Sequence, residues 1–178
     1  MLRFLLISFL FFPLLASAGS KAFVWLDLGD VIVETRNGYE KMHYMPGAVE
    51  YVNELKLRGH SVGLIVNIPE SWGQPEDYNS KINELLVFLK KGWIDQEHPF
   101  TLAPFDQVLI PFFDRQRKPA PDLFVMALEV SNKRNLRPIF QSENVEEVNS
   151  AKTVGFTTHL VTFSGPQAHY LAFEELDK

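Results

Sequence analysis

The 178-residue chain contains no cysteine. That excludes disulfides, thiolate zinc sites, cysteine nucleophiles and lipid attachment through a cysteine, so any metal must be held by oxygen or imidazole. The five histidines, His43, His60, His98, His159 and His169, show no His-Glu-x-x-His spacing, which disfavours a histidine zinc site. Positive charge is also short. With 17 Lys and Arg against 22 Asp and Glu, the net charge is -5. No broad basic field exists to hold a polyanion by counterion release, so general nucleic-acid binding is not expected. A phosphate-bearing partner would need a local pocket. Internal repeats and low-complexity segments are absent too. What remains is 46% hydrophobic and 22% charged residues, the composition of an ordinary globular domain.

Residues 1–18 have their own character. Met-Leu-Arg precedes an apolar run from Phe4 to Leu15, and Ala16-Ser17-Ala18 follows, the pattern of a secretory signal peptide cut after Ala18. The run falls short of the roughly 20 residues needed to cross a bilayer core, and Pro13 interrupts it, so no stable membrane span is expected after cleavage. The expected product is residues 19–178, a single domain, secreted or periplasmic. An uncleaved anchor is the alternative.

Strand and helix patterns alternate along that domain. Ala22–Leu26 is an unbroken apolar run closed by Asp27-Leu28-Gly29-Asp30, a strand buried on both faces. Met45-Pro46-Gly47 opens a helix with Val49, Val52 and Leu55 on one face, closed at Gly59. Val62–Val66 is a second strand, and Ile82, Leu85, Leu86 and Leu89 mark an amphipathic helix ending at Gly92. Val108-Leu109-Ile110 is a third apolar run, and Pro121 starts a helix carrying Phe124, Ala127 and Leu128. A polar linker from Asn132 to Arg137, a short strand at Ile139-Phe140, a helix over Val145–Val154 closed by Gly155, and a last strand over Thr157–Phe163 complete the reading. The fold class is therefore α/β: a doubly wound, mostly parallel sheet with helices on both faces.

Ligands of such sheets gather at the carboxyl ends of the strands. There the chain places Asp27, Asn67, the basic group Arg115, Arg117 and Lys118, and then Ser142, Glu143, Glu146 and Glu147. Acids beside a lysine and an amide suit a hard cation together with a phosphate monoester. Blander roles exist for each. Asp27 is a common turn residue, Lys118 a common solvated side chain, and Asn67 before Pro69 a common cap. Glu143, Glu146 and Glu147 would also favour a helix N-terminus through its dipole. Trp72, Trp93 and Phe112-Phe113 read as core or rim packing, or as walls of a substrate entrance.

Four segments carry a resemblance. Phe23-Val-Trp-Leu-Asp27-Leu-Gly29-Asp30 looks like the first motif of the haloacid dehalogenase-like (HAD) phosphohydrolases, and Gly59-His-Ser-Val-Gly-Leu-Ile-Val66-Asn67 resembles the second. Arg117-Lys118-Pro119-Ala-Pro121 is similar to the third. Ser142-Glu143-Asn-Val-Glu146-Glu147, running on to Ala151-Lys-Thr-Val-Gly155, is similar to the fourth. They occur in the family's order from Phe23 to Thr162. The resemblance implies a small-cap or capless HAD fold like that of histidinol and heptose bisphosphate phosphatases. It implies a magnesium-dependent phosphohydrolase acting through an aspartyl-phosphate on Asp27, with Lys118 as fixed positive charge and as a contact to the phosphate. Asn67 would orient that phosphate, and Asp27, the Gly29 carbonyl and Glu143 would hold Mg2+. The substrate would be a phosphorylated small molecule or an extended phosphoester.

The departures from the pattern are as specific. Gly29 stands where many family members carry a second aspartate that protonates the leaving oxygen, Val66 where a Thr or Ser hydroxyl would bond phosphate, and Glu143 where an aspartate is usual. Gly29 is a candidate for positive φ. Asp30, or a water held by Glu146, would have to carry the missing proton. These departures support an alternative, a catalytically impaired HAD-fold protein that binds a phosphorylated ligand or a protein partner.

Overall fold

The structure, a computed structural model, describes residues 21–68 and 78–178. The signal segment and Trp72 lie outside the described residues. No described helix is long and apolar enough to cross a membrane.

The first strand, β1 (Ala22–Leu26), is wholly buried, as its continuous apolar run requires. Its side chains alternate between two cores. Ala22, Val24 and Leu26 join a cluster with α1 (Ala48–Leu57) and α2 (Tyr78–Gly92). Phe23 and Trp25 join a second cluster with α3 (Asp122–Lys133) and α4 (Val145–Val154). Helices therefore cover both faces of one sheet, whose order is β3-β2-β1-β4-β5. In it β2 spans Ser61–Ile65, β3 Gln107–Leu109, β4 Arg137–Ser142 and β5 Thr157–Leu160. Every neighbouring pair is parallel. The chain moves outward from β1 to β2 and β3, then returns to place β4 on the other side of β1. That reversal is the topological switch, and it opens a crevice at the carboxyl ends of β1 and β4. Among the described residues no separate cap domain is inserted.

Two expectations change. The last strand does not run through Phe163. β5 stops at Leu160, and β6 (Thr162–Ser164) turns into an antiparallel pair with β7 (Gln167–His169). The alternation continues across Val161, which is buried, so the pattern conceals the break. The linker is also shorter than its polar composition suggests, since α3 runs to Lys133 and β4 begins at Arg137. Beyond β7 the short helix α5 (Phe173–Leu176) closes the chain. The tail is tied to the sheet by buried Gln141, which accepts from the Leu171 amide at 2.9 Å and donates to the Tyr51 hydroxyl at 2.8 Å.

One close approach holds β1 against β2. The rings of Phe23 and Trp25 stack at 4.3 Å, and Trp25 Nε1 donates to Ser131 Oγ of α3 at 2.9 Å. Gly63 lies directly beneath this stack, where a Cβ would come within 2.6 Å of Trp25 and 2.9 Å of Phe23. Gly63→Ala should therefore destabilise the protein by about 1–3 kcal/mol through overpacking, read from the denaturation midpoint. A midpoint equal to that of the wild type would show that the stack is free to shift.

Candidate active site

Asp27 begins the site. Its amide donates to the Gln141 carbonyl of β4 at 3.0 Å, extending the ladder one residue past β1 and fixing where the side chain emerges. Its Oδ1 accepts from the Leu28 amide at 2.7 Å and lies 2.6 Å from Lys118 Nζ. Oδ2 takes no hydrogen bond from any described residue.

The chain then doubles back tightly. The Leu28 carbonyl accepts from the amides of Ile32 and Val33, and the Asp30 amide donates to the Val33 carbonyl at 2.7 Å. Gly29 does not adopt positive φ; that conformation falls on Asp30, at φ 52. Aspartate is among the residues that tolerate it because its short side chain can bond locally. Asp30 Oδ1 accepts from the Thr35 amide at 2.7 Å, the Thr35 hydroxyl at 3.0 Å and the Arg36 amide at 3.1 Å. Its Oδ1 is committed to the loop.

Lys118 arrives from the opposite side. Its backbone is clamped by Asn67 at the end of β2: the Lys118 amide donates to Asn67 Oδ1, and Asn67 Nδ2 donates to the Lys118 carbonyl, both at 2.8 Å. The ammonium is buried, with Nζ 2.8 Å from Glu147 Oε2 in addition to Asp27. Burial works against its charge, but the charges of Asp27 and Glu147 outweigh it and hold the pKa above the ordinary lysine value.

Glu147 reaches the lysine because α4 starts where it does. Asn144 caps that helix, accepting from the amides of Glu146 and Glu147. Ser142 Oγ lies 3.1 Å from Glu147 Oε2 and 3.3 Å from Glu143 Oε2, and its single proton can serve only one of them at a time. Glu143 has no cation of its own, and burial together with the charge of Asp27 pushes its carboxyl up to about 7. Glu147 is also raised, by burial and then by Asp27, with Lys118 opposing. Glu146 is exposed.

Asp27, Gly29, Asn67, Lys118 and Glu143 thus surround one cavity of about 160 Å³, with Val66, Asp30 and Glu147. Asn67 lines it, yet both atoms of its amide are engaged by the Lys118 backbone. Glu147, read from sequence as equally a helix-dipole residue, is the partner that holds the lysine; its place one helical turn after Glu143 was the available signal. Trp93 is buried against Tyr44 and Phe100 instead of walling the entrance. The wall is formed by Leu85 and Leu89, from the apolar face that the sequence gives to α2, with Tyr39, Met42 and Phe88, which sequence patterns did not single out.

No protein-family model and no curated protein sequence matches the chain. Solved structures do. D,D-heptose 1,7-bisphosphate phosphatase from B. bronchiseptica, complexed with magnesium and phosphate, aligns with a TM-score of 0.53 at 13% identity, over 78% of this chain and 79% of that one. A HAD family enzyme from Bacteroides thetaiotaomicron, complexed with magnesium and inorganic phosphate, aligns with a TM-score of 0.55 at 11% identity, over 80% of this chain and 95% of that one. The fold is that of the HAD phosphatases. In this HAD-like fold three of the four carboxylates that line the crevice between β1 and β4, those of Asp27, Glu143 and Glu147, gather around one ammonium. Among the described residues no three acids or imidazoles close into a complete metal cage. The excess negative charge fits a divalent cation bound by one or two carboxylates, a carbonyl and water, the habit of magnesium.

Because the folded state holds the Glu143 proton more tightly than the unfolded chain, unfolding releases it between about pH 4.5 and 7. Stability of the metal-free protein should therefore fall as pH rises across that window. Glu143→Gln should flatten the slope in melting temperatures taken from pH 5 to 8. An unchanged slope would place its origin elsewhere.

Proposed function

We propose that the protein is an exported, magnesium-dependent phosphohydrolase that works through an aspartyl-phosphate on Asp27. The observation that carries this reading is the 2.6 Å contact between Asp27 and buried Lys118 at the switch point of the sheet. The HAD neighbours complexed with magnesium and phosphate support the same chemistry. Export rests on the leader pattern of residues 1–18.

A carboxylate attacks phosphorus only if the phosphoryl oxygens are neutralised. Lys118 supplies one fixed positive charge, kept protonated by Asp27 and Glu147 and held in register by Asn67. Asp27, Glu143 and the Gly29 carbonyl, which accepts no backbone hydrogen bond among the described residues, would hold Mg2+. Magnesium bound there supplies Lewis-acid neutralisation of the phosphoryl group. Oδ2 of Asp27, the oxygen not engaged by Lys118 and Leu28, is the attacking atom. Asn67 acts as a positioning residue for Lys118, and Glu147 fixes the ammonium from its far side.

A second reading, a binding protein with impaired catalysis, is favoured by buried Val66 and by the commitment of Asp30 to its loop. The two separate in a phosphatase screen with magnesium. Turnover that Asp27→Asn lowers by roughly 10⁴-fold or more supports the enzyme. Turnover that survives the substitution removes Asp27 from the chemistry, and no turnover by an intact, magnesium-binding fold selects the binding protein. Millimolar magnesium should raise the melting temperature, more at pH 8 than at pH 5, because at the lower pH Glu143 is protonated. No rise at either pH would count against the metal site.

A further inference from the structure

Four carboxylates line the cavity among the described residues, and each already has a task. Asp27 is the attacking group of the proposed reaction. Asp30 is bound by three donors of its own loop. Glu143 faces the metal position, and Glu147 is bound to Lys118 at 2.8 Å. Gly29, where the HAD resemblance implies a second carboxylic acid, has no side chain. No described carboxyl group is both free of such ties and placed beside Asp27 to protonate a departing alkoxide.

The other half of the cavity is apolar. Met42 is tied to the end of α2, its amide donating to the Gly92 carbonyl at 2.8 Å and its carbonyl accepting from the Ile94 amide at 2.9 Å. This holds the loop before α1 against the helix, so closely that a Cβ on Gly92 would strike the Tyr39 carbonyl at 1.9 Å. Tyr39 then meets Phe88 edge-on at 5.3 Å, with 58% of its surface exposed. Met42 and Leu89 continue the wall behind them. Lys118 is the one cation lining the cavity among the described residues, so a second phosphate on the substrate would find no counter-charge there.

We infer that the substrate class is an aryl phosphate monoester, whose ring lies on the Tyr39–Phe88 wall and whose leaving group departs as a phenolate without proton donation. This rests on the phosphohydrolase reading. The bond from Asp27 Oδ2 to phosphorus forms as the aryl oxygen takes the electron pair of the breaking P–O bond and is protonated by solvent. Water then cleaves the aspartyl-phosphate, releasing phosphate and a proton and restoring the carboxylate. A phenol ionises near pH 10, whereas an aliphatic alkoxide is about as basic as hydroxide, near 15.7, so only the former leaves readily unprotonated.

The test compares phenyl phosphate with propyl phosphate, with magnesium present, as substrates of the wild type, Gly29→Asp and Tyr39→Ala. The wild type should favour phenyl phosphate in kcat/KM by at least the roughly 10²-fold that a positioned proton donor is worth. Gly29→Asp should raise propyl phosphate turnover more than phenyl; the new Cβ would lie 3.4 Å from Thr35 Oγ1, a contact the fold can accept. Tyr39→Ala should raise KM for phenyl phosphate and narrow the preference. A phosphotyrosine peptide, as third substrate, separates a free aryl phosphate from one carried on a protein, and preference for either over propyl phosphate supports the class. Equal wild-type turnover of phenyl and propyl phosphate would overturn the inference and leave the phosphohydrolase intact. Absence of turnover on every ester would bring down both.

Discussion

The ammonium of Lys118, buried between the carboxylates of Asp27 and Glu147, is the contact on which the arrangement of this crevice depends. It joins three separate parts of the chain: the end of β1, the segment entering α3 and the first turn of α4. A fourth, the end of β2, grips the same residue through the amide of Asn67. Removing one member of such a buried set leaves uncompensated charge and is costly, typically 3–5 kcal/mol, whereas the intact set adds little net stability because desolvation opposes the attraction. Among the described residues Glu143 has no ion-pair partner of its own, and burial, reinforced by the negative charge of Asp27, raises its pKa.

The positions where the chain departs from the HAD motif pattern fall into two kinds. Glu143 keeps the charge of the usual aspartate and faces the same crevice. Gly29 and Val66 remove polar groups outright, and Asp30, the nearest substitute, is turned by its positive φ into a loop-holding residue. On the phosphohydrolase reading proposed above, the electrostatic frame for binding a phosphoryl group would be retained, while the means of moving a proton to the leaving oxygen would not. These functions are separable because one depends on fixed charges and the other on a single mobile proton.

Most of the layered architecture was legible in the sequence. The unbroken apolar run of β1 and the Leu85–Leu89 face of α2 each have one physical solution in a two-faced sheet, and Gly155 closes α4 where expected, with φ 119. The break at Val161 was not legible. A period-two pattern continues across it, and only the pairing of β6 with β7 reveals that the chain has left the main sheet.

At the site, the sequence by itself determined which residue types stand at the strand ends: Asp27, Asn67, Lys118 and Glu143, each placed by the rule that loops leave parallel strands at their carboxyl ends. Only the tertiary structure decided what each side chain is bound to. Asn67 faces the Lys118 backbone, Glu147 and not Glu146 meets the ammonium, and Asp30 Oδ1 is held by Thr35 and Arg36. Hydrophobic periodicity reports which face of an element is buried. Hydrogen bonds among polar side chains depend on distances of a few tenths of an ångström between segments 51 or more residues apart in the chain, and no local pattern encodes those.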